Sequence, residues 1–171
     1  LRKKSFSDYT NSLNSVVSEY QKNLTLTVSY NEKNYKKNDY EKLLRKTRDK
    51  DLILGRTTTG PHRDNIDVLW EYKNLRDFGS QGEHKISLIL LKLAEINLIK
   101  EKTGEYPIIL LDDVFAKLDL KRSKKLVSYL NSIRTGENKP VQTIITTTDI
   151  LNVEKSGLKL DNLGVKTHKL N

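Results

Sequence analysis

Hydrophobic residues near the start of the chain recur at three- and four-residue intervals: Phe6, Tyr9, Leu13, Val16, Val17, Tyr20 and Leu24. That spacing predicts an amphipathic helix over about residues 5–22. Leu24, Leu26, Val28 and Tyr30 then alternate with Thr25, Thr27 and Ser29, which is a strand pattern. Asn31 to Asp39 is polar and turn-rich, and Asp39 is placed to cap a short helix through Lys46. Ile66, Val68, Trp70 and Tyr72 alternate with polar residues and predict a strand with one buried face. Ile86 to Ile99 is apolar almost all round, which predicts a deeply buried helix.

Pro107 is followed by Ile108, Ile109, Leu110 and Leu111, a short continuous apolar run. Such a run predicts a central strand buried on both faces. Asp119 stands where it would cap a helix to about Ile133, Gly136 to Pro140 reads as a loop, and Val141 to Thr147 as a second, β-branched strand. Helix–strand–helix–strand order predicts an α/β fold with a parallel sheet and crossover helices.

Composition bounds the answer further. The chain has 171 residues, 36% hydrophobic and 31% charged, enough for one ordinary domain with or without an appendage. It has no cysteine, which excludes disulfides, zinc–cysteine sites, iron–sulfur clusters and thiol catalysis. No apolar run is long enough to span a bilayer as a helix, and the start has no signal-peptide h-region. Residue 1 is Leu, not Met, and opens straight into a helical pattern, as expected of a fragment or a processed chain.

The net charge is +9 and uneven: residues 1–50 hold 12 Lys and Arg against 6 Asp and Glu. Lys36, Lys37, Lys42, Arg45, Lys46, Arg48 and Lys50 cluster toward the end of that segment. A local basic excess attracts polyanions, nucleic acid first among them. A solvated Lys-rich surface accounts for the same residues.

The chemistry concentrates where the first apolar strand ends in Asp112-Asp113. Carboxylates there lie at the edge where open α/β sheets bind ligands. One can hold Mg²⁺ beside a phosphate chain and its neighbour can orient or deprotonate a water. The plain alternative is a polar turn with Asp113 as a helix cap. Asp119 follows in the same loop, and the second strand ends in Thr146-Thr147-Thr148-Asp149, at the same edge if the strands are parallel. Upstream, Gly79-Ser80-Gln81-Gly82-Glu83 precedes the apolar helix. A small turn at a helix start offers N–H groups to an anion. Ser80 with Glu83 three residues on is equally a capping box.

Gly55-Arg56-Thr57-Thr58-Thr59-Gly60 has the glycine spacing of a phosphate-binding loop but continues Pro61-His62 rather than Lys-Ser/Thr, so it is rejected as one. His62 and Arg63 either brace this loop or contact a phosphate backbone. His84 and His168 are isolated and support no histidine metal site.

Taken together, Ser80-Gln81-Gly82-Glu83, Leu110-Leu111-Asp112-Asp113-Val114, Leu118-Asp119 and Ile145-Thr146-Thr147-Thr148-Asp149 resemble the C-terminal part of the RecF family, bacterial DNA replication and repair ATPases related to SMC and Rad50. Gly60-Pro61-His62-Arg63-Asp64 and Gly104-Glu105-Tyr106-Pro107 also match that family, and the resemblance runs over roughly residues 50–150.

The resemblance implies the C-terminal lobe of an ABC-type P-loop ATPase with a helical N-terminal appendage. Residues 1–50 would end a helical arm and begin the lobe, and 51–171 would form the rest of it. Ser80 and Gly82 would belong to the signature that meets the γ-phosphate held by the other subunit. Asp112 would be the Walker B acid serving Mg²⁺, Asp113 the water-activating carboxylate, Asp119 the D-loop acid, and Thr148 the switch residue, where most ABC ATPases have His.

The implied cofactors are ATP and Mg²⁺, in a site completed by an upstream Walker A loop. Complete, such a protein would be a weak ATPase; this chain by itself would be inactive. The implied partners are double-stranded or gapped DNA, a second copy in an ATP-dependent homodimer, and RecO and RecR, in the cytoplasm with no membrane. Lys42, Arg45, Lys46, Arg48, His62 and Arg63 are the candidate DNA contacts.

Departures from the family pattern are Glu83 in place of Gln, Ala116-Lys117 in place of Ser-Glu, and Asn65 in place of Asp. Two other functions compete. One is a DNA-binding module indifferent to nucleotide. The other is a metal-dependent nuclease or phosphatase using Asp112, Asp113 and Asp119, with further ligands from positions such as Glu83 or Asp149.

Overall fold

The computed structural model describes residues 2–31, 37–116, 118–158 and 165–168. In chain order the elements are α1 (Arg2–Tyr20), β1 (Leu26–Asn31), α2 (Lys37–Leu54), a 3₁₀ turn (Pro61–Arg63), β2 (Asn65–Trp70), β3 (Lys73–Asn74), α3 (Leu75–Phe78), α4 (Gln81–Thr103), β4 (Ile109–Asp112), α5 (Leu120–Ser132), β5 (Thr143–Thr146) and α6 (Ile150–Lys155). The chain divides into two compact units, Leu1–Thr27 with Leu69–Asn171, and Val28–Val68.

In the larger unit, α1 and α4 form the main helix pair. Leu13 and Val16 of α1 are fully buried, as are Ile86 and Leu90 of α4. Two α1 side chains also donate to α4 carbonyls: Tyr9 Oη to Leu91 O at 2.9 Å and Ser12 Oγ to Ala94 O at 2.8 Å. Burial pushes the Tyr9 hydroxyl up to about 12. α5 buries Leu126, Val127, Tyr129 and Leu130. α4 ends where Gly104 takes the left-handed conformation at φ 83°, which a side chain would strain.

β4 and β5 pair in parallel, with Ile109 opposite Thr143 and Asp112 opposite Thr146. The α/β character and the parallel sheet expected from the element order are therefore present. The burial is not as expected. Ile109 is 2% exposed, but its neighbour Leu110 is 71% exposed and Ile144 beside it 49%. The apolar run at 108–111 is thus covered on one face only among the described residues, and β4 pairs with β5 alone. A strand apolar on both faces has been given cover for one of them. α4 departs similarly, with Leu88 59% exposed on the flank opposite its buried stripe. The helix expected to stop at Lys46 continues to Leu54, because Asp39 lies in its first turn and no breaker intervenes before Gly55.

The smaller unit carries α2, the 55–60 loop and the 3₁₀ turn. Asp51 braces its loop: Oδ1 accepts from Thr58 N at 2.8 Å and from Thr58 Oγ1 at 2.5 Å. The Thr58 hydroxyl, first among these partners, holds Asp51 below the usual carboxylate range.

Candidate functional site

The site builds from two helix starts and one strand end. Ser80 caps α4: its Oγ accepts from Glu83 N at 3.3 Å, and Ser80 N donates to Glu83 Oε2 at 2.9 Å, a complete capping box. Asp119 caps α5, with Oδ1 accepting from Arg122 N at 2.8 Å. Arg122 then ties the two starts together. Its guanidinium lies 2.5 Å from Asp119 Oδ2 and 3.4 Å from Glu83 Oε1. The Ser80 amide, reinforced by Arg122, holds Glu83 below the usual carboxylate range. The Arg122 amide, followed by the guanidinium charge, does the same for Asp119. The negative charge that Glu83 brings in place of Gln is thereby matched by a cation and an amide.

Gly79 makes the turn before Ser80 possible. A Cβ there would lie 2.5 Å from Leu75 O, so no side chain fits.

At the strand end, Asp112 and Thr146 face each other in register on the uncovered side of the sheet, and the Thr146 hydroxyl donates to Asp112 Oδ1. Asp113 turns away at φ 45°, a left-handed conformation unusual for a non-glycine residue. Its N–H lies 3.1 Å from both Thr146 O and Thr146 Oγ1. Its Oδ1 is buried without a hydrogen-bond partner. Lys85 of α4 reaches this turn, donating to Asp113 O at 2.5 Å and Ala116 O at 2.8 Å.

The structure links Ser80 to Asp119 through Glu83 and Arg122, and separately Asp112 to Asp113 through Thr146, with Lys85 of α4 reaching the Asp113 turn; Gly82 sits in the first turn of α4. Thr148 stays outside both links: exposed and two residues past β5, it leaves Thr146 as the hydroxyl on Asp112. Asp149 caps α6, accepting from Asn152 N at 3.0 Å. Lys85 and Arg122 bond to these turns though sequence reasoning gave them no role, while Gly79 and Thr146 stood in its motifs without a stated partner. Thr146 had a signal, since the two strands end together if parallel. Lys85 and Arg122 had none, because a lysine or arginine on a helix flank reads as solvated charge.

No group of three or more His, Asp or Glu able to hold a metal ion occurs among the described residues. Glu83 and Asp119 face Arg122 instead, so the acid cluster expected for a nuclease does not form.

The smaller unit holds the other candidates. Lys42, Arg45, Lys46, Arg48 and Lys50 are all exposed on α2, and Arg45 pairs with Glu41 at 2.7 Å. Lys36 and Lys117 lie outside the described residues, as does the side chain of Lys37. His62 Nε2 lies 2.9 Å from Thr57 O and braces the loop, while Arg63 is half-buried with Nε unpartnered. The 55–60 loop follows a helix and enters a single 3₁₀ turn, whereas a phosphate-cradling loop opens a helix. Its rejection as a P-loop rests on that architecture as well as on its residues.

A capped turn before a buried helix, a parallel sheet with acids at its C-terminal edge and a second capped helix after them define the C-terminal lobe of an ABC-type ATPase head. No family model matches the chain. It is 44% identical over 118 residues to the DNA replication and repair protein RecF of Clostridium novyi (strain NT), covering 69% of this chain and 30% of that protein. It is 44% identical over 126 residues to RecF of Lactococcus lactis subsp. cremoris (strain SK11), covering 74% and 33%. A solved structure of the recombination mediator protein RecF-ATP in the RecFOR pathway superposes with a TM-score of 0.60 at 30% identity, covering 86% of this chain and 40% of that one. The Smc head bound to the C-winged helix domain of ScpA shares the fold alone, with a TM-score of 0.52 at 13% identity over 90% of this chain and 38% of that one. The chain belongs with the RecF proteins and corresponds to a C-terminal portion of them. It spans about a third of the length of the curated relatives it matches.

Proposed function

We propose that this chain is the signature-bearing part of a RecF-type ATPase that dimerises around ATP, binds DNA and acts in replication and recombinational gap repair. One observation carries the reading: at the C-terminal edge of the β4–β5 sheet, Asp113 presents a buried, unpartnered carboxylate oxygen beside Asp112. That edge is where open α/β sheets bind ligands. Asp113 is the base that orients and deprotonates the attacking water, and no protein donor among the described residues competes for its Oδ1. Asp112 would hold Mg²⁺, directly or through water, and an exposed carboxylate at a strand end is the hard oxygen donor that ion takes. When bound, the ion would neutralise phosphate charge.

Ser80 uses one oxygen lone pair for the cap and keeps its proton to donate to a γ-phosphate on a second subunit. Gly82 keeps that turn small, Asp119 stands at the subunit interface, and Thr148 occupies the switch position. The Walker A loop would come from the upstream part of the complete protein, and this chain by itself hydrolyses no ATP. The bare face of β4–β5 supports this, because parallel sheets are normally covered on both sides.

The exposed α2 cations, with Arg63 and His62 as secondary contributors, would meet the backbone of double-stranded or gapped DNA. RecO and RecR are the expected protein partners, and the cytoplasm the expected compartment. Among the described residues no helix is long and apolar enough to cross a membrane.

The test uses the full-length protein. Asp113→Asn should keep ATP binding, slow hydrolysis by about 100-fold or more, and prolong the ATP-bound dimer. Loss of nucleotide binding together with hydrolysis would make Asp113 a structural or metal-holding group instead. For DNA, changing Lys42, Arg45, Lys46 and Arg48 together to Gln should weaken duplex binding. It should also flatten the log–log salt dependence by up to about 0.9 per cation removed, with ATP affinity unchanged. An unchanged slope would place DNA elsewhere.

A further inference from the structure

We propose that Lys85 is a positioning residue that aims the Asp113 carboxylate and couples it to the Ser80 turn. The inference rests on the ATPase reading above and extends it. Asp113 is an L-residue at φ 45°, a strained conformation that persists only where its surroundings hold it. Two grips hold it. From β5, Thr146 takes its N–H. From α4, Lys85 takes its C=O at 2.5 Å and the C=O of Ala116 three residues on at 2.8 Å. A compact ammonium with three donors can satisfy two converging carbonyls, which a neutral side chain of that length cannot.

The peptide planes on both sides of Asp113 are therefore anchored, and its side chain leaves the turn in a set direction. Lys85 lies five residues after Ser80 on the same helix, so a shift of that helix start pulls directly on the turn that carries Asp113. In an ATP-bound dimer, Ser80 would serve one nucleotide and Asp113 the other. Lys85 would then make each subunit's base sensitive to whether its own signature turn is engaged.

Lys85→Met, Lys85→Arg and Asp113→Asn are compared in the full-length protein by nucleotide affinity, ATP turnover and amide hydrogen exchange without nucleotide. Lys85→Met should bind ATP within about 3-fold of the parent but turn over about 10- to 100-fold more slowly, the loss expected when a reacting group is displaced by about an ångström. Exchange at the Asp113 and Leu118 amides should accelerate while the buried stripe of α4 exchanges as before. Lys85→Arg should restore most of the turnover. Parent-like turnover in Lys85→Met overturns the proposal. So does joint loss of binding and α4 protection, which marks a merely structural lysine. Should Asp113→Asn turn over like the parent, the base assignment fails separately. The exchange measurement then still decides the clamp: unchanged exchange at Asp113 in Lys85→Met overturns it, and faster exchange supports it.

Discussion

The two faces of the β4–β5 sheet differ in cover. On one, Ile109 is buried and Leu111 and Ile145 are partly covered; on the other, Ile108, Leu110 and Ile144 are exposed beside Asp112 and Thr146. The covered face gains its stability from burial within this chain. Asp112 and Thr146 lie on the bare face, and its apolar residues have composition suited to burial but no cover among the described residues.

The largest effect that sharpens the contrast is Ile109→Ala. Removing a buried isoleucine side chain should cost about 2–5 kcal/mol in chemical denaturation of this chain. A cost below about 0.5 kcal/mol would mean that the covered face is no core at all.

A smaller effect tests the caps of α4 and α5. Asp119 and Glu83 titrate below their usual range because backbone amides donate to them. Their contribution is present above the usual carboxylate pKa near about 4 and is lost as pH falls through the depressed folded values. Denaturation midpoints should therefore drop on acidification from about pH 6 to about pH 3. Asp119→Asn, which still caps α5 but cannot titrate, should show a shallower drop. An identical drop would place the acid sensitivity elsewhere.

The smallest effect is Leu110→Ala, expected within about 0.5 kcal/mol of the parent in this chain because the side chain is already in water. In the full-length protein the same substitution should rise to about 2–5 kcal/mol if the upstream part covers the face. A small cost in both would leave the face bare in the complete protein too.

Much of the molecule was legible from residue order. The α1 stripe followed from a 3.6-residue period, the Asp119 cap from its residue type before a helix, and the parallel pairing from the helix–strand–helix–strand order. The motif residues Ser80, Asp112, Asp113 and Asp119 were legible as a set; the fold joins Ser80 to Asp119 through Glu83 and Arg122, and Asp112 to Asp113 through Thr146. The length of α2 was missed because a polar, charged helix has little apolar periodicity to read. Two-sided burial of the 108–111 run was inferred from apolarity. Apolarity records what a residue needs, and whether a neighbour meets that need depends on what else is present.

What the sequence alone determined about this protein is its class of elements, their order and the acids at a strand end, because turns, caps and periodicities are written in neighbouring residues. The tertiary structure decided which groups act on one another. It put Thr146 on Asp112, set Arg122 between Glu83 and Asp119, and aimed Lys85 at the Asp113 carbonyl. Those partners lie 34, 39 and 28 residues apart for Thr146–Asp112, Arg122–Glu83 and Lys85–Asp113. No local period connects them: strand pairing brings Thr146 to Asp112, and the placement of the helix starts brings Arg122 to Glu83 and Lys85 to the Asp113 carbonyl.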